Sequence, residues 1–343
     1  MQRPSRQLRR RALAVALLCA VLIGTILFSL SRGGGSIPVA EALGTLFGGE
    51  SRRAAVALFV IRLPRILMSV LAGATLSLAG ALIQSVLHYP LASPGTLGMV
   101  NGSALGVVFF YALFTAGTSQ LLVSVAWVPL AAFAGGAGTT LLLMSLVRRF
   151  ALGRRDTVVL GVSLAFGAMA LTTLFMIVGP FYRASDANLW LTGATHTANW
   201  RELTVLAPIF AVVVLTAAGL GKTVDALRLD PRSASSLGIP RGTTTGVLLF
   251  AGLASSAAVA FVGGISFLGL MAPHAARLLV GSQSRWFFPA SALLGAELLV
   301  VADYAGRTLV SWVEVPSGAL VAVAGAPFFL VLLFRETRSK HAA

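Results

Sequence analysis

Between Ala12 and Phe334 the chain carries ten apolar runs, each long enough to cross a bilayer. A helix of about 20 apolar residues spans the hydrocarbon. In lipid every backbone N–H and C=O must be satisfied within the protein, so a span is a helix or part of a closed barrel. Barrel strands alternate in polarity and last about ten residues, and these runs do neither. The expected fold class is all-α, a polytopic membrane protein with ten transmembrane helices. The runs are 12–31, 64–87, 96–115, 122–147, 157–179, 203–221, 243–262, 264–281, 288–309 and 317–334. Charged residues make up 11% of the chain, against roughly 25% in a soluble domain. No room is left for a separate water-soluble domain, and residues 1–343 read as a single transmembrane domain.

The formal net charge is +15. Nucleic acid is excluded as a partner because no basic domain exists to hold it; the charge reads as topology, through the excess of Lys and Arg in cytoplasmic loops. Arg3, Arg6, Arg9, Arg10 and Arg11 form a basic tail, residues 1–11, before the first run. That places the N-terminus inside, and an even number of spans returns the C-terminus to the same side. Of the 26 Lys and Arg, 18 then fall on the inner side, and eight, among them Arg62, Arg65 and Arg307, remain outside and need a reason. The single cysteine, Cys19, allows neither an internal disulfide nor a cysteine metal site. Leu17 and Leu18 precede it where a lipoprotein needs small residues. Ala40-Glu41-Ala42 has a small-x-small form, but it lies about ten residues past a run already long enough to span, so the first span is expected to be retained.

Polar residues inside or between the runs carry the functional information. Residues 222–242 form an inner loop. Within it, Asp230-Pro231-Arg232-Ser233-Ala234-Ser235-Ser236-Leu237-Gly238 has a capping acid, a proline suited to the first helical position and a terminating glycine. So short a helix is marginal in water without a surface to pack on; the segment reads as a structured loop or as a docking helix for a cytoplasmic subunit. Gly98, Gly102 and Gly106, spaced by four, form a smooth stripe for close helix packing, flanked by Asn101 and Ser103. Pro273-His274 lies late in the eighth run, where His274 is a structural hydrogen-bonding group or a pathway residue. Glu297 and Asp303 share the ninth run. Six residues at about 100° each turn them to different faces, so they do not form one ion site, and Asp303 is expected to meet Arg307 one turn on. Gly219-Leu220-Gly221-Lys222-Thr223 imitates the end of a phosphate-binding loop, but Thr216 stands where its first glycine belongs and the segment ends a span.

Four blocks, in order along the chain, carry a resemblance to a known family. They are Arg62-Leu63-Pro64-Arg65 leading to Gly73 and Gly80; Pro90-Leu91-Ala92-Ser93-Pro94-Gly95 through Gly98 and Gly106; Phe261 to Leu270 with Pro273, His274 and Arg277; and Asp303, Arg307, Glu314-Val315-Pro316-Ser317-Gly318 with Gly325-Ala326-Pro327. Together with Leu237-Gly238-Ile239, the chain resembles the FecCD-like, or type II, permeases of ATP-binding-cassette importers for iron-siderophores, haem and vitamin B12. It departs from that pattern at Gly263-Gly264, where the family has Gly-Pro, at His88-Tyr89, and at Glu297, where the family is apolar.

The resemblance implies a type II importer permease fold, with both termini cytoplasmic, in the bacterial inner membrane. It implies a second permease subunit, identical or paralogous, and two cytoplasmic ATPase subunits that bind ATP and Mg, so that this chain binds no cofactor and catalyses no reaction. It implies that residues 230–238 couple to the ATPases. It also implies that Arg62, Arg65 and Arg307 dock acidic side chains of an extracytoplasmic substrate-binding protein. The segment Ala187-Asn188-Leu189-Trp190-Leu191-Thr192-Gly193 is similar to that of ferric-siderophore or ferric-citrate members, with haem and cobalamin as alternatives. From another class, an ion-coupled secondary carrier would need no ATPase; sparse intramembrane acids argue against it.

Overall fold

The computed structural model describes residues 4–32, 44, 55–115, 121–179, 184–228, 236, 238–240, 242–310 and 313–341. Among them the regular structure is helical, apart from one isolated bridge between Thr115 and Leu121. Helix α1 spans Pro4–Ser31. Helix α2 spans Val56–Leu87, with a π-helical start over Val56–Arg62. Then follow α3 Met99–Phe114, α4 Val128–Arg149, α5 Arg154–Val178 and the short α6 Ala184–Leu191. The chain continues through α7 Trp200–Leu227, α8 Thr243–Val262, α9 Leu268–Val280, α10 Ser284–Thr308 and α11 Ser317–His341. Each of the ten apolar runs holds one helix. Seven are long and apolar enough to cross a membrane, and Met99–Phe114, Leu268–Val280 and Ser317–Val331 are shorter apolar helices.

Helix boundaries differ from the sequence expectation where local chemistry intervenes. Pro64 was expected to open the second span, yet the helix begins at Val56 and runs through it. A helical proline clashes with the carbonyl four residues back. Here a widened turn, in which Leu63 N–H donates to the Leu58 carbonyl five residues back, precedes the ring. The third span was expected from residue 96, but Gly98 adopts φ +88° as the N-cap and the helix starts at Met99. The eighth was expected from residue 264. Gly263 at φ +74° and Phe267 at φ +63° instead hold 263–267 as irregular backbone, leaving α9 with 13 residues. At 1.5 Å per residue α9 is roughly 20 Å long, short of the ~30 Å hydrocarbon.

α2 is the axis of the bundle, packed against α7, α8, α9 and α10. Lipid tails supply no hydrophobic drive between helices, so close van der Waals contact does the work, and glycine permits it. A Cβ on Gly73 of α2 would sit 2.4 Å from the Gly295 carbonyl oxygen of α10, and a Cβ on Gly295 would meet Gly73 equally closely. A second seam joins α3 to α4, where a Cβ on Gly106 would lie 2.3 Å from the Ala131 carbonyl. α1, α5 and α7 are peripheral, with about a fifth of their apolar windows buried.

Candidate functional site

Antiparallel packing gathers polar residues at two faces. The face carrying the start of α1, termed the terminal face, is fixed by Arg11 donating to Gln283 at 2.9 Å and by the Ser284 N–H donating to Asp225 at 3.0 Å. The opposite face carries the end of α1, where Arg62 donates to the Leu30 carbonyl.

At the opposite face the centre is Asp303 of α10, 1% exposed. Arg65 of α2 donates through Nε to its Oδ1 at 2.7 Å, and Thr195 donates its hydroxyl to the same oxygen. Arg307 Nε lies 3.3 Å from Oδ2. Arg65 also donates to Glu314 at 2.9 Å, and Arg307 donates to Ser29 of α1. A buried carboxylate needs paired charges and hydrogen bonds; Asp303 has two cations beside it and two hydrogen bonds at Oδ1. Beside it lies a knot of irregular backbone. Gly264 N–H donates to the Trp190 carbonyl at 3.1 Å, Ala194 N–H to Val262 at 2.9 Å, and Gly318 N–H to Gly193 at 2.9 Å. Three connections, those after α6, α8 and α10, are thereby tied together.

The three arginines expected to dock a binding protein gather at this face and are largely buried within the chain. Arg62 is 6% exposed and Arg65 8% exposed, and the Arg307 side chain is similarly buried. A cation at the hydrocarbon edge is costly without a partner: Arg65 and Arg307 meet Asp303, and Arg62 donates to the Leu30 carbonyl. Glu314, its side chain 55% exposed, is the accessible member of the network. The expected Asp303–Arg307 contact is present, but the stronger partner, Arg65, lies 238 residues away in sequence and left no local signal.

At the terminal face Arg228, just past α7, donates to Ser85 of α2 at 3.1 Å. Arg277 of α9 lies 3.4 Å from the Gln84 side-chain oxygen. Both guanidinium groups face the Phe287 ring, at 5.7 and 5.2 Å from its centroid. Arg154 lies 2.6 Å from His88 Nδ1. Arginine only donates, so that nitrogen accepts and the imidazole is neutral. Burial first, and then the Arg154 charge, hold the His88 pKa below its ordinary value. Burial also lowers the Arg228 pKa, against the opposing pull of Asp225. From sequence Arg154 and Arg228 read as topology and Arg277 as part of a family block; Gln84, a polar residue inside an apolar run, was the available clue to an internal cluster.

The remaining expected residues take separate places. Asp230, Pro231, Arg232, Ser233, Ala234, Ser235 and Leu237 lie outside the described residues. Ser236 is helical and Gly238 takes φ +78°. Asn101 donates to the Ala165 carbonyl of α5 at 3.1 Å. Gly102 and Gly106 sit in the α3–α4 seam, whereas Gly98 packs against Gly161 and Ala165 of α5 rather than continuing the stripe. His274 packs edge-on to Phe328 of α11. Glu297 accepts from Thr25 of α1 at 2.7 Å, far from Asp303 in its partners. Among the described residues no group of three or more His, Cys, Asp or Glu could hold a metal ion.

A bundle of apolar helices around one buried axis, with polar clusters at both faces, defines a polytopic helical membrane protein. Residues 21–335 match the family model described as the FecCD transport family. The chain belongs to that family, and its fold is the type II importer permease fold. It is 36% identical over 324 residues to a Bacillus subtilis (strain 168) protein described as a siderophore transport system permease, covering 94% of each chain. It is 34% identical over 345 residues to the Fe(3+)-citrate import system permease protein YfmE of the same organism, covering 99% of this chain and 100% of that one. A solved structure described as an inward-facing metal-chelate type ABC transporter matches with TM-score 0.80 and 27% identity, over 94% of this chain and 98% of that one.

Proposed function

We propose that the chain is the membrane-spanning permease subunit of an ATP-binding-cassette importer and carries a ferric chelate of the siderophore or citrate type across the bacterial cytoplasmic membrane. The observation that carries this reading is relation along the whole chain to permeases named for such cargo. The terminal face, which bears the basic tail, is cytoplasmic by the positive-inside bias. ATP and Mg belong to two ATPase subunits on that face, and a second permease completes the pathway.

Residues 230–238 couple to the ATPases. Two flanking contacts support this role. Ile239, at the end of that segment, packs on the main core, and Arg228, at its start, is anchored to Ser85 of the axial helix. Displacement of the loop is therefore felt by α2. On the outer face a substrate-binding protein docks, its acidic side chains meeting Arg62, Arg65 and Arg307, which cluster there around Asp303. The test is uptake of labelled ferric citrate and ferric siderophores into proteoliposomes containing the permease with its ATPase and binding protein. ATP-dependent accumulation is expected. Uptake of haem or cobalamin with no ferric chelate transport would overturn the cargo assignment.

A further inference from the structure

A groove of about 530 Å³ runs between α7 and α10 at the terminal face, with Leu78 of α2 in its lining. Its walls are small or apolar: Val214, Ala217, Ala218 and Gly221 on one side, Phe288 and Ala292 on the other. The small side chains of α7 leave the space unfilled. Pro289, also in the lining, lies inside α10; its ring has no N–H to give the Arg285 carbonyl and pushes that turn away. From Lys222 down to Val214 is eight residues, about 12 Å of helix, close to half of the ~30 Å hydrocarbon. The groove's length approaches the depth of one leaflet's hydrocarbon.

Its mouth is basic. Lys222 and Arg285 line it and are exposed, and Arg11 reaches the same edge through Gln283. Asp225, the acid in the lining, is already engaged: it accepts from the Ser284 N–H and hydroxyl at 3.0 and 2.8 Å and lies 3.7 Å from Arg228. Next to the groove Val212 and Leu215 of α7 are 56% and 72% exposed, as on a lipid-facing surface. An apolar slot approaching one leaflet in depth beneath exposed cations fits one molecule shape: an acyl chain carrying an anionic headgroup. Basic pockets between membrane helices take such headgroups.

We infer that the groove between α7 and α10 holds an acyl chain of an anionic phospholipid of the adjoining leaflet, its phosphate against Lys222 and Arg285. The inference needs only that the chain spans a membrane, and is independent of what it carries. The bound lipid would tie α7, the helix that leads into the 228–242 loop, to α10.

The test uses the full-length purified protein in detergent, with native mass spectrometry and thermal unfolding after addition of phosphatidylglycerol, phosphatidylcholine or inorganic phosphate. Phosphatidylglycerol should bind as a discrete adduct and raise the unfolding temperature; phosphatidylcholine and phosphate should not. Lys222→Gln with Arg285→Gln should weaken phosphatidylglycerol binding about 25-fold, near fivefold for each surface cation removed. Ala218→Phe, which fills the slot and keeps the cations, should also abolish the adduct. Equal binding of the two lipids, full stabilisation by phosphate alone, or unchanged phosphatidylglycerol binding in either variant would overturn the inference. So would an Ala218→Phe variant that loses self-association instead of lipid, since the groove would then be an interface between copies.

Discussion

Asp303→Asn isolates the ion network of the opposite face. The substitution keeps shape and leaves an oxygen to accept from Thr195, but removes the charge facing Arg65 at 2.7 Å and Arg307 at 3.3 Å. Arg65 keeps the half-exposed Glu314, and Arg307 keeps the Ser29 hydroxyl. Deleting one partner of a buried pair strands the other and costs about 3–5 kcal/mol. Glu314→Gln removes an acid from the same network where water screens it, and an exposed pair contributes only ~0.2–1 kcal/mol. At roughly 2–4 °C per kcal/mol, Asp303→Asn should lower the unfolding temperature on the order of 10 °C and Glu314→Gln by only a few degrees. Thermal unfolding in detergent, read by a thiol-reactive dye on the lone Cys19, measures both. Equal effects, or an Asp303→Asn variant as stable as the parent, would refute the ranking of the two acids by burial.

Other consequences can be measured separately. Gly106→Leu should force α3 and α4 apart, since even a Cβ there would stand 2.3 Å from the Ala131 carbonyl; overpacking costs about 1–3 kcal/mol or more, and the unfolding temperature and folded yield should fall. Arg228→Gln should leave the permease folded while weakening transport-linked stimulation of the ATPases, read as substrate-dependent ATP hydrolysis; unchanged stimulation would remove Arg228 from the coupling route. Burial and Arg154 hold the folded-state pKa of His88 below its unfolded value of about 6.5. Its contribution is therefore full above that pH and lost as pH falls through the lowered folded value. Unfolding temperature should drop on acidification, and His88→Gln should flatten the drop.

What the chain disclosed in advance follows from the range of each interaction. Helix number and order come from apolar run length, a local property, and α8 ends at Val262 where the glycine pair begins. Boundaries moved where a special backbone conformation decided them, as at Gly98, Phe267 and the π-turn before Pro64. The internal partners of Arg65, Asp303 and Glu314, are both distant in sequence, so the ion network at that face had no local signal. The Arg228–Arg277–Phe287 stack likewise joins three helix ends and has no sequence periodicity to reveal it. Asp225 as the cap of α10, 59 residues ahead of it, was hidden for the same reason.

In the proposed function the chain is a gate driven by an ATPase at its terminal face. The most direct measurement is uptake of labelled ferric chelate into proteoliposomes, with and without the ATPase subunits and with and without ATP. The account predicts accumulation only when both are present, and none under an imposed proton or sodium gradient alone. Accumulation by the permease without an ATPase, driven by such a gradient, would contradict it.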